Sequence, residues 1–446
     1  MLVSMALPVP PDGLSRLPQP QQPTKELPKM ERGLSFTTGN AFYRRESAVG
    51  RDLSVLAAIA YKREHGQLRA LDALCGCGVR AMRYLVQASA DFVWANDACD
   101  HLRPGILDNL RAVAPPSCSS CPTERWKVST QDANKLLLGC YLADDYYDLI
   151  DVDSHGSNSV FFGSALAALK RGGLVYVTST DGFSCSKRPY NALASYGTFT
   201  RRLPFINEIG LRMVIAGVVR EAATRNLRMR PLFSHYSAHG PVFRIMLRME
   251  HGELDLRTNY GFIAHCSECG AFQSVSWDEL GQTSACSCSK KNTYTGPIWI
   301  GPLHNIAYVQ TMSRLAKELN WIASPGFDMK KLDPETSKLT EVLDVMLEES
   351  NPTLPCGYIG LHEIASRGKI PTPRRDTLTR RLQKVHPVTR AAAVNLFSLF
   401  FLQEGYVVSR SQIEPNSLKT NASVAECIHV AQQLFALQHD KLSIQS

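Results

Sequence analysis

Five short apolar segments in the first half of this chain each run into an acid or a glycine-rich turn. They are Arg69–Leu74 before Cys75-Gly76-Cys77-Gly78, Phe92–Asn96 before Asp97, Trp126–Ser129 shortly before Asp132, Tyr147–Val152 before Asp153, and Leu174–Thr180 before Asp181. Helical periodicity occupies Arg51–Glu64, Gly78–Gln87, His101–Ala112, Val160–Leu169 and Asn207–Arg225, while Pro231–Tyr236 and Val242–Arg248 read as late strands. Strands separated by helices rejoin their sheet in parallel, with helices on both faces. The expected fold is therefore α/β with a Rossmann-like sheet, and ligands of such sheets bind beyond the carboxyl ends of the strands.

The first turn suits a nucleotide. Gly76 and Gly78 let backbone approach a ligand at a helix N-terminus, and Ala81 takes the last place of a G-x-G-x-x-G/A pattern. Asp97 follows about 20 residues on, where a carboxylate accepts ribose hydroxyls. Asp132, at the third strand end, is in reach of an adenine amino group. This pattern fits a dinucleotide or S-adenosylmethionine (AdoMet).

The fourth strand end separates those two. Asp151-Val152-Asp153-Ser154-His155-Gly156-Ser157 has no standard use in hydride transfer. It suits methylation of a nucleobase amine, a poor nucleophile because its lone pair is delocalised into the ring. A site for it must accept the N–H bonds, orient the lone pair and take a proton. Asp153 supplies a carboxylate, Ser154 a backbone carbonyl and His155 a flat ring.

After about His251 the alternation stops, and the remainder from Ala307 reads as mostly helical. Four of the 13 cysteines, Cys266, Cys269, Cys286 and Cys288, fall within 23 positions, a density that matches a closed four-thiolate structural zinc site. His265 is adjacent as a substitute ligand. Cys118 and Cys121 share the C-x-x-C spacing but have no second pair and are read as incidental. Scattered cysteines, odd in number, exclude a secreted disulfide scaffold and favour a reducing intracellular compartment.

The formal charge of +8 acquires meaning from its distribution. Arg367, Lys369, Arg374, Arg375, Arg380, Arg381, Lys384 and Arg390 are opposed only by Asp376, which suggests contact with a phosphate backbone. Lys187-Arg188 and Arg201-Arg202 extend that basic character toward the fifth strand end. Glu208 and Arg212 read either as a brace for the site or as an exposed i,i+4 pair. No apolar stretch is long enough to span a membrane, since Ala391–Leu402 is too short. Nothing predicts a protein partner.

At these motifs the chain resembles the tRNA guanosine-26 N2-dimethyltransferase family, in a plant-type form. The resemblance runs from about Gly39 to Ser423 through GNAFYRRESAVGRDLSV, DALCGCGVRAMRY, WANDA, DLIDVDSHGS, HCSECG and GPIWIGPLHN. It implies an AdoMet-dependent methyltransferase acting on N2 of a tRNA guanine. Phe42, Arg51, Arg80, Asp97 and Asp132 are the implied cofactor contacts, with Phe42 in an N-terminal lid, and Asp153 is the implied catalytic acceptor. Two departures stand out. Ser154-His155 replaces the usual proline and aromatic, and Arg44-Arg45 replaces Asn-Pro. A catalytically lapsed tRNA-binding chaperone, a methyltransferase for another RNA position or substrate, and a nicotinamide oxidoreductase remain as alternatives.

The expected organisation is a disordered Pro/Gln-rich lead over 1–30, an AdoMet-dependent methyltransferase domain over 31–250, and a mainly helical zinc-bearing tRNA-binding domain over 251–446. The nucleus is the favoured compartment, with a plastid or mitochondrion as the alternative because the N-terminus is ambiguous.

Overall fold

A computed structural model describes residues 27–114, 124–250, 252, 256–282, 286, 288, 292–323, 333–384 and 405–445. Most of the lead, Cys118 and Cys121, the apolar segment 391–402 and the end of the basic run at Arg390 lie outside the described residues. Lys29 and Met30, assigned above to the lead, already belong to the first strand.

A hairpin of β1 (Lys29–Glu31) and β2 (Leu34–Phe36) leads to α1 (Ala48–His65). The alternating half follows: β3 (Arg69–Asp72), α2 (Val79–Val86), β4 (Phe92–Asn96), α3 (Arg103–Val113), β5 (Trp126–Ser129), α4 (Ala133–Leu142), β6 (Tyr147–Asp153), α5 (Phe162–Ala168) and β7 (Leu169–Ser179). Then come α6 (Gly182–Ser186), α7 (Pro189–Tyr196), α8 (Ile206–Ala223), β8 (Arg228–Ser237) and β9 (Val242–Glu250). The seven strands order as β5-β4-β3-β6-β7-β9-β8. The strands of the alternating part pair in parallel as expected, while β9, one of the two late strands, runs antiparallel to both neighbours. The cause is local: β8 and β9 are joined by a short hairpin, and a parallel return needs a crossover of about a dozen residues.

Helix α1 is buried from Ala48 to Tyr61, Arg51 and Asp52 included, with its charged end at Lys62–His65. It ends on Gly66 at φ +76°, whose N–H caps Lys62 O at 2.9 Å. Its cover comes from α10 (Ile306–Glu318) and α11 (Pro334–Glu349), after the short α9 (Leu256–Asn259) and the sheet β11-β10-β12 of β10 (Tyr260–His265), β11 (Phe272–Val275) and β12 (Thr293–Trp299). Val309, Met312, Leu339 and Leu343 share one core with Leu53, Leu56 and the sheet. On the opposite face, Ile263, Ile298 and Trp299 share a core with α8.

The cores therefore do not divide at residue 250, where the sequence suggested a boundary. Helices α10 and α11 carry apolar faces that pack on α1, on each other and on β8, so they complete the first unit. The separate core begins at Ile359. It contains β13 (Ile359–Gly360), α12 (Leu361–Gly368), α13 (Arg375–Leu382), β14 (Val408–Arg410), β15 (Ser417–Thr420) and α14 (Val424–Gln445). This end is helical as expected but also holds a sheet, in the order β13-β15-β14. Among the described residues no helix is long and apolar enough to cross a membrane.

Candidate active site and metal centre

The glycine-rich turn adopts the geometry its composition demanded. Gly78 sits at φ +80° as the N-cap of α2 and donates to Cys75 O at 2.9 Å. Gly76, at φ +56°, has open space where a Cβ would stand and donates its N–H to Asp97 Oδ2 at 3.0 Å. The other oxygen of Asp97 accepts from Cys99 N at 3.0 Å. Asp97 is thus tied to the turn, and each oxygen retains a lone pair for a ligand hydroxyl. Asp132 is exposed and caps α4 by accepting from Lys135 N at 3.0 Å.

Parallel pairing places Asp72 beside Asp151, two residues before Asp153 on the same strand and face. Arg80 reaches back from α2 to two acids of β6, with Nε 3.2 Å from Asp151 Oδ2 and an Nη on Asp153 Oδ2. Tyr84 donates to the same Asp151 oxygen at 2.6 Å. One guanidinium therefore faces three carboxylates. Burial pushes Asp151 up to about 6 against the pull of Arg80. Burial and then Asp151 drive Asp72 well above the usual carboxylate range, and neither Asp72 oxygen has a hydrogen-bond partner. Burial and the neighbouring carboxylate thus both oppose ionisation of Asp72. Asp153, with 34% of its side chain exposed, is the member of this row that meets solvent. Arg80, expected to contact the cofactor, is placed to position Asp153 as well.

The turn without its proline is pinned from β7. Ser154 N donates to Thr178 O at 3.3 Å, a bond proline cannot make. Gly156, at φ +75°, donates to Thr180 Oγ1 at 2.6 Å and accepts from Ser179 Oγ at 2.9 Å. His155 is exposed, while Ser154 is buried with its hydroxyl unpartnered.

The segment around Phe42, expected to form an N-terminal lid, is also fastened. Phe42 is 78% exposed and lies 5.0 Å under the Arg44 guanidinium. Arg44 donates to His239 O at 3.0 Å, on the β8–β9 hairpin, and Arg45 pairs with Glu335 of α11 at 3.3 Å. The arginines that replace Asn-Pro thus tie that segment to two other elements. Arg51, expected at the cofactor, gives its guanidinium to Glu31 and to Arg44 O. Burial opposes ionisation of Glu31, but Arg51 outweighs it and holds the carboxyl below its usual range. Arg83, wholly buried, bridges Glu31 and Asp52 at 3.2 and 2.6 Å. Sequence reasoning missed this ionic cluster, because its members are separated in sequence and charged residues ordinarily read as surface.

Glu208 and Arg212 are not an exposed pair. Both are buried, and Glu208 accepts from Arg212 at 2.8 Å, from Lys419 of β15 at 2.8 Å and from Gly357 N at 2.8 Å. They clamp the C-terminal unit to α8, at a distance in sequence no local pattern reveals.

Cys266, Cys269, Cys286 and Cys288 converge, with all four sulfurs within 4.8 Å of one another. Tetrahedral zinc–thiolate bonds of ~2.3 Å put sulfurs roughly 3.8 Å apart, so the donor set fits. Gly270, at φ +77°, makes the first knuckle by donating to Cys266 O at 2.9 Å. His265 turns instead into the core, edge-on to Phe205 at 6.2 Å. Arg367 is taken up by Glu363 and by the carbonyls of Ser267 and Glu268, joining α12 to the cysteine knuckle. Arg375 donates to Pro415 O at 3.0 Å. Arg374, Arg380 and Arg381 are exposed on α13.

The model of the N2,N2-dimethylguanosine tRNA methyltransferase family matches residues 22–432. The tRNA (guanine(26)-N(2))-dimethyltransferase of Pyrococcus furiosus is 26% identical over 392 residues, covering 85% of this chain and 90% of that protein. Its namesake in Sulfurisphaera tokodaii is 28% identical over 352 residues, covering 77% and 84%. The solved complex of Trm1 from Pyrococcus horikoshii with S-adenosyl-L-methionine has the same fold, with a TM-score of 0.70 at 22% identity over 91% of this chain and 99% of that one. With the family model matching residues 22–432 and the fold shared with that complex, the chain belongs to the N2,N2-dimethylguanosine tRNA methyltransferase family.

Proposed function

We propose that this enzyme transfers one or two methyl groups from AdoMet to the exocyclic N2 of guanine-26 in tRNA. The observation that carries the reading is the placement of Asp153. It alone of the acid row is substantially exposed, on a pinned turn, with Arg80 on Oδ2 and no protein donor on Oδ1 among the described residues. Oδ1 accepts one N2–H and turns the lone pair toward the donor, and the carboxylate takes the proton released as the N–C bond forms. After the first transfer the amine keeps one N–H, so the same carboxylate serves again.

AdoMet supplies a methyl group already activated on a sulfonium. Gly76, Gly78, Asp97, Asp132 and Phe42 are the residues to hold it, and the excess of carboxylates over guanidinium around Arg80 favours a cationic ligand. Arg51 contributes by fixing the lid. Ser154 and His155 line the base, with His155 as its stacking surface. Arg374, Arg380 and Arg381, with Arg375 at their root, take tRNA phosphates. The four cysteines hold a structural zinc, which orders the knuckle that Arg367 grips. Reduced thiols agree with an intracellular setting, and we favour the nucleus over a plastid or mitochondrion.

The test is methyl transfer from labelled AdoMet to an unmodified tRNA transcript, with nucleoside analysis. Expected is label in N2-methylguanosines, absent from a guanine-26-to-adenine transcript and from Asp153→Ala. Binding of tRNA without transfer by the wild type would instead establish the lapsed enzyme, for which the loss of proline at Ser154 is the motive.

A further inference from the structure

Beyond the fifth strand end, the segment from Phe183 to Arg202 carries exposed rings and cations that the chemistry above leaves unused. Phe183 is 60% exposed and Tyr190 74%. Lys187 and Arg188 stand 5.6 and 5.8 Å from the Phe183 ring. Tyr190 meets Phe199 edge-on at 5.7 Å, and Arg201 lies 4.9 Å over Phe199. Lys187, Arg188, Arg201 and Arg202 are all exposed, and none has a salt-bridge partner among the described residues. The segment carries no carboxylate, and Asp181 just before it caps α6 through Ser184 N at 3.0 Å.

Single exposed aromatics are ordinary on protein surfaces. Here the rings alternate with unpaired cations on one short stretch, and that stretch is rooted in the catalytic turn. Thr180, which holds Gly156 at 2.6 Å, precedes Phe183 by three residues. Tyr196 secures the stretch underneath, with its hydroxyl 3.4 Å from Ser179 Oγ and its ring buried. Rings that offer a face, with cations alongside, are what binds unpaired nucleotides: bases stack and phosphates find charge. Removing a guanine from its stack also leaves neighbouring bases without a partner face.

We propose that Phe183 and Tyr190, with Lys187 and Arg188, form a stacking platform for unpaired tRNA nucleotides flanking the target base. This rests on the tRNA reading above and adds the surface and the contact chemistry.

The test uses the full-length chain and measures Kd for an unmodified tRNA, Kd for AdoMet, and KM for tRNA. Phe183→Ala/Tyr190→Ala is expected to raise Kd and KM for tRNA roughly 5- to 100-fold and leave AdoMet binding unchanged. Phe183→Trp/Tyr190→Trp is expected to restore tRNA binding. Lys187→Gln/Arg188→Gln is expected to flatten the salt dependence of tRNA binding by roughly 1.4 in log–log slope. Wild-type tRNA affinity in the alanine pair at matched salt overturns the proposal, as does a tryptophan pair no better than alanine. Because Kd needs no turnover, a wild type that fails to methylate would overturn the catalytic reading and leave this one to be decided by binding.

Discussion

Glu208 is a carboxylate from which water is excluded, and its replacement tests how the two units are joined. It accepts from Arg212 Nε and Nη at 2.9 and 2.8 Å, from Lys419 Nζ at 2.8 Å and from Gly357 N at 2.8 Å. Burial opposes its ionisation, yet Lys419 and then Arg212 hold the carboxyl at about 2. Against an ordinary value near 4.5, that displacement is worth about 3 kcal/mol at neutral pH. Glu208→Gln keeps the volume and leaves two buried cations together, for which ~3–5 kcal/mol is expected. Urea unfolding at pH 7, followed by circular dichroism, should show the loss in its first transition. Lys419→Met should then cost less in the Glu208→Gln background than in the wild type, because it removes one uncompensated cation. The folded-state value is depressed, so the wild type holds this contribution above about pH 4.5 and loses it as pH falls toward 2. The wild-type and Glu208→Gln stability curves should therefore converge in that window. A Glu208→Gln protein within about 1 kcal/mol of the wild type at pH 7, or a Lys419→Met effect equal in both backgrounds, would refute the reasoning.

Asp72→Asn replaces a buried acid whose ionisation is opposed by burial and by Asp151 with a near-isostere, and is expected to leave stability at pH 5 within about 1 kcal/mol of wild type. Since the folded-state value of Asp72 is raised, the wild type loses stability as pH climbs above the unfolded carboxylate value, and the variant should be flatter in thermal melts between pH 5 and 9. Asp153→Asn should lower kcat by about 10²-fold or more while AdoMet affinity, read by calorimetry, stays within a few-fold. Cys269→Ser should abolish stoichiometric zinc in metal analysis and lower the melting temperature, and chelator should reproduce the shift in the wild type but not in the variant. Gly50→Ala places a Cβ 2.4 Å from Arg244 Nε and should destabilise by about 1–3 kcal/mol in urea, with Arg244→Met in the same chain recovering part of it.

Much of this molecule was legible in one dimension because its logic is local. A turn that needs φ above zero writes itself as Gly76 and Gly78, and the acids at the ends of β4 and β6 could be read directly as Asp97 and Asp153. The convergence of the cysteine group was legible for the same reason, since two short segments supply all four thiols. The antiparallel β9 was not, because hairpin and crossover strands share the same alternating composition. The roles of Arg51 and Arg80 were legible only as positions in a motif. Their carboxylate partners, Glu31 and the pair Asp151 and Asp153, come from other elements.

What the sequence determined by itself is therefore the alternation of strands and helices from β3 to β7 and the residue types at the strand ends, since each follows from backbone propensity and hydrophobic period. Tertiary structure alone decided which charges are neutralised in the interior, that α10 and α11 belong with α1, and that Lys419 locks onto Glu208 across 211 positions. Those outcomes depend on desolvation: whether a charged side chain is solvated or must find a partner is settled by what packs over it, and the chain order does not encode that cover.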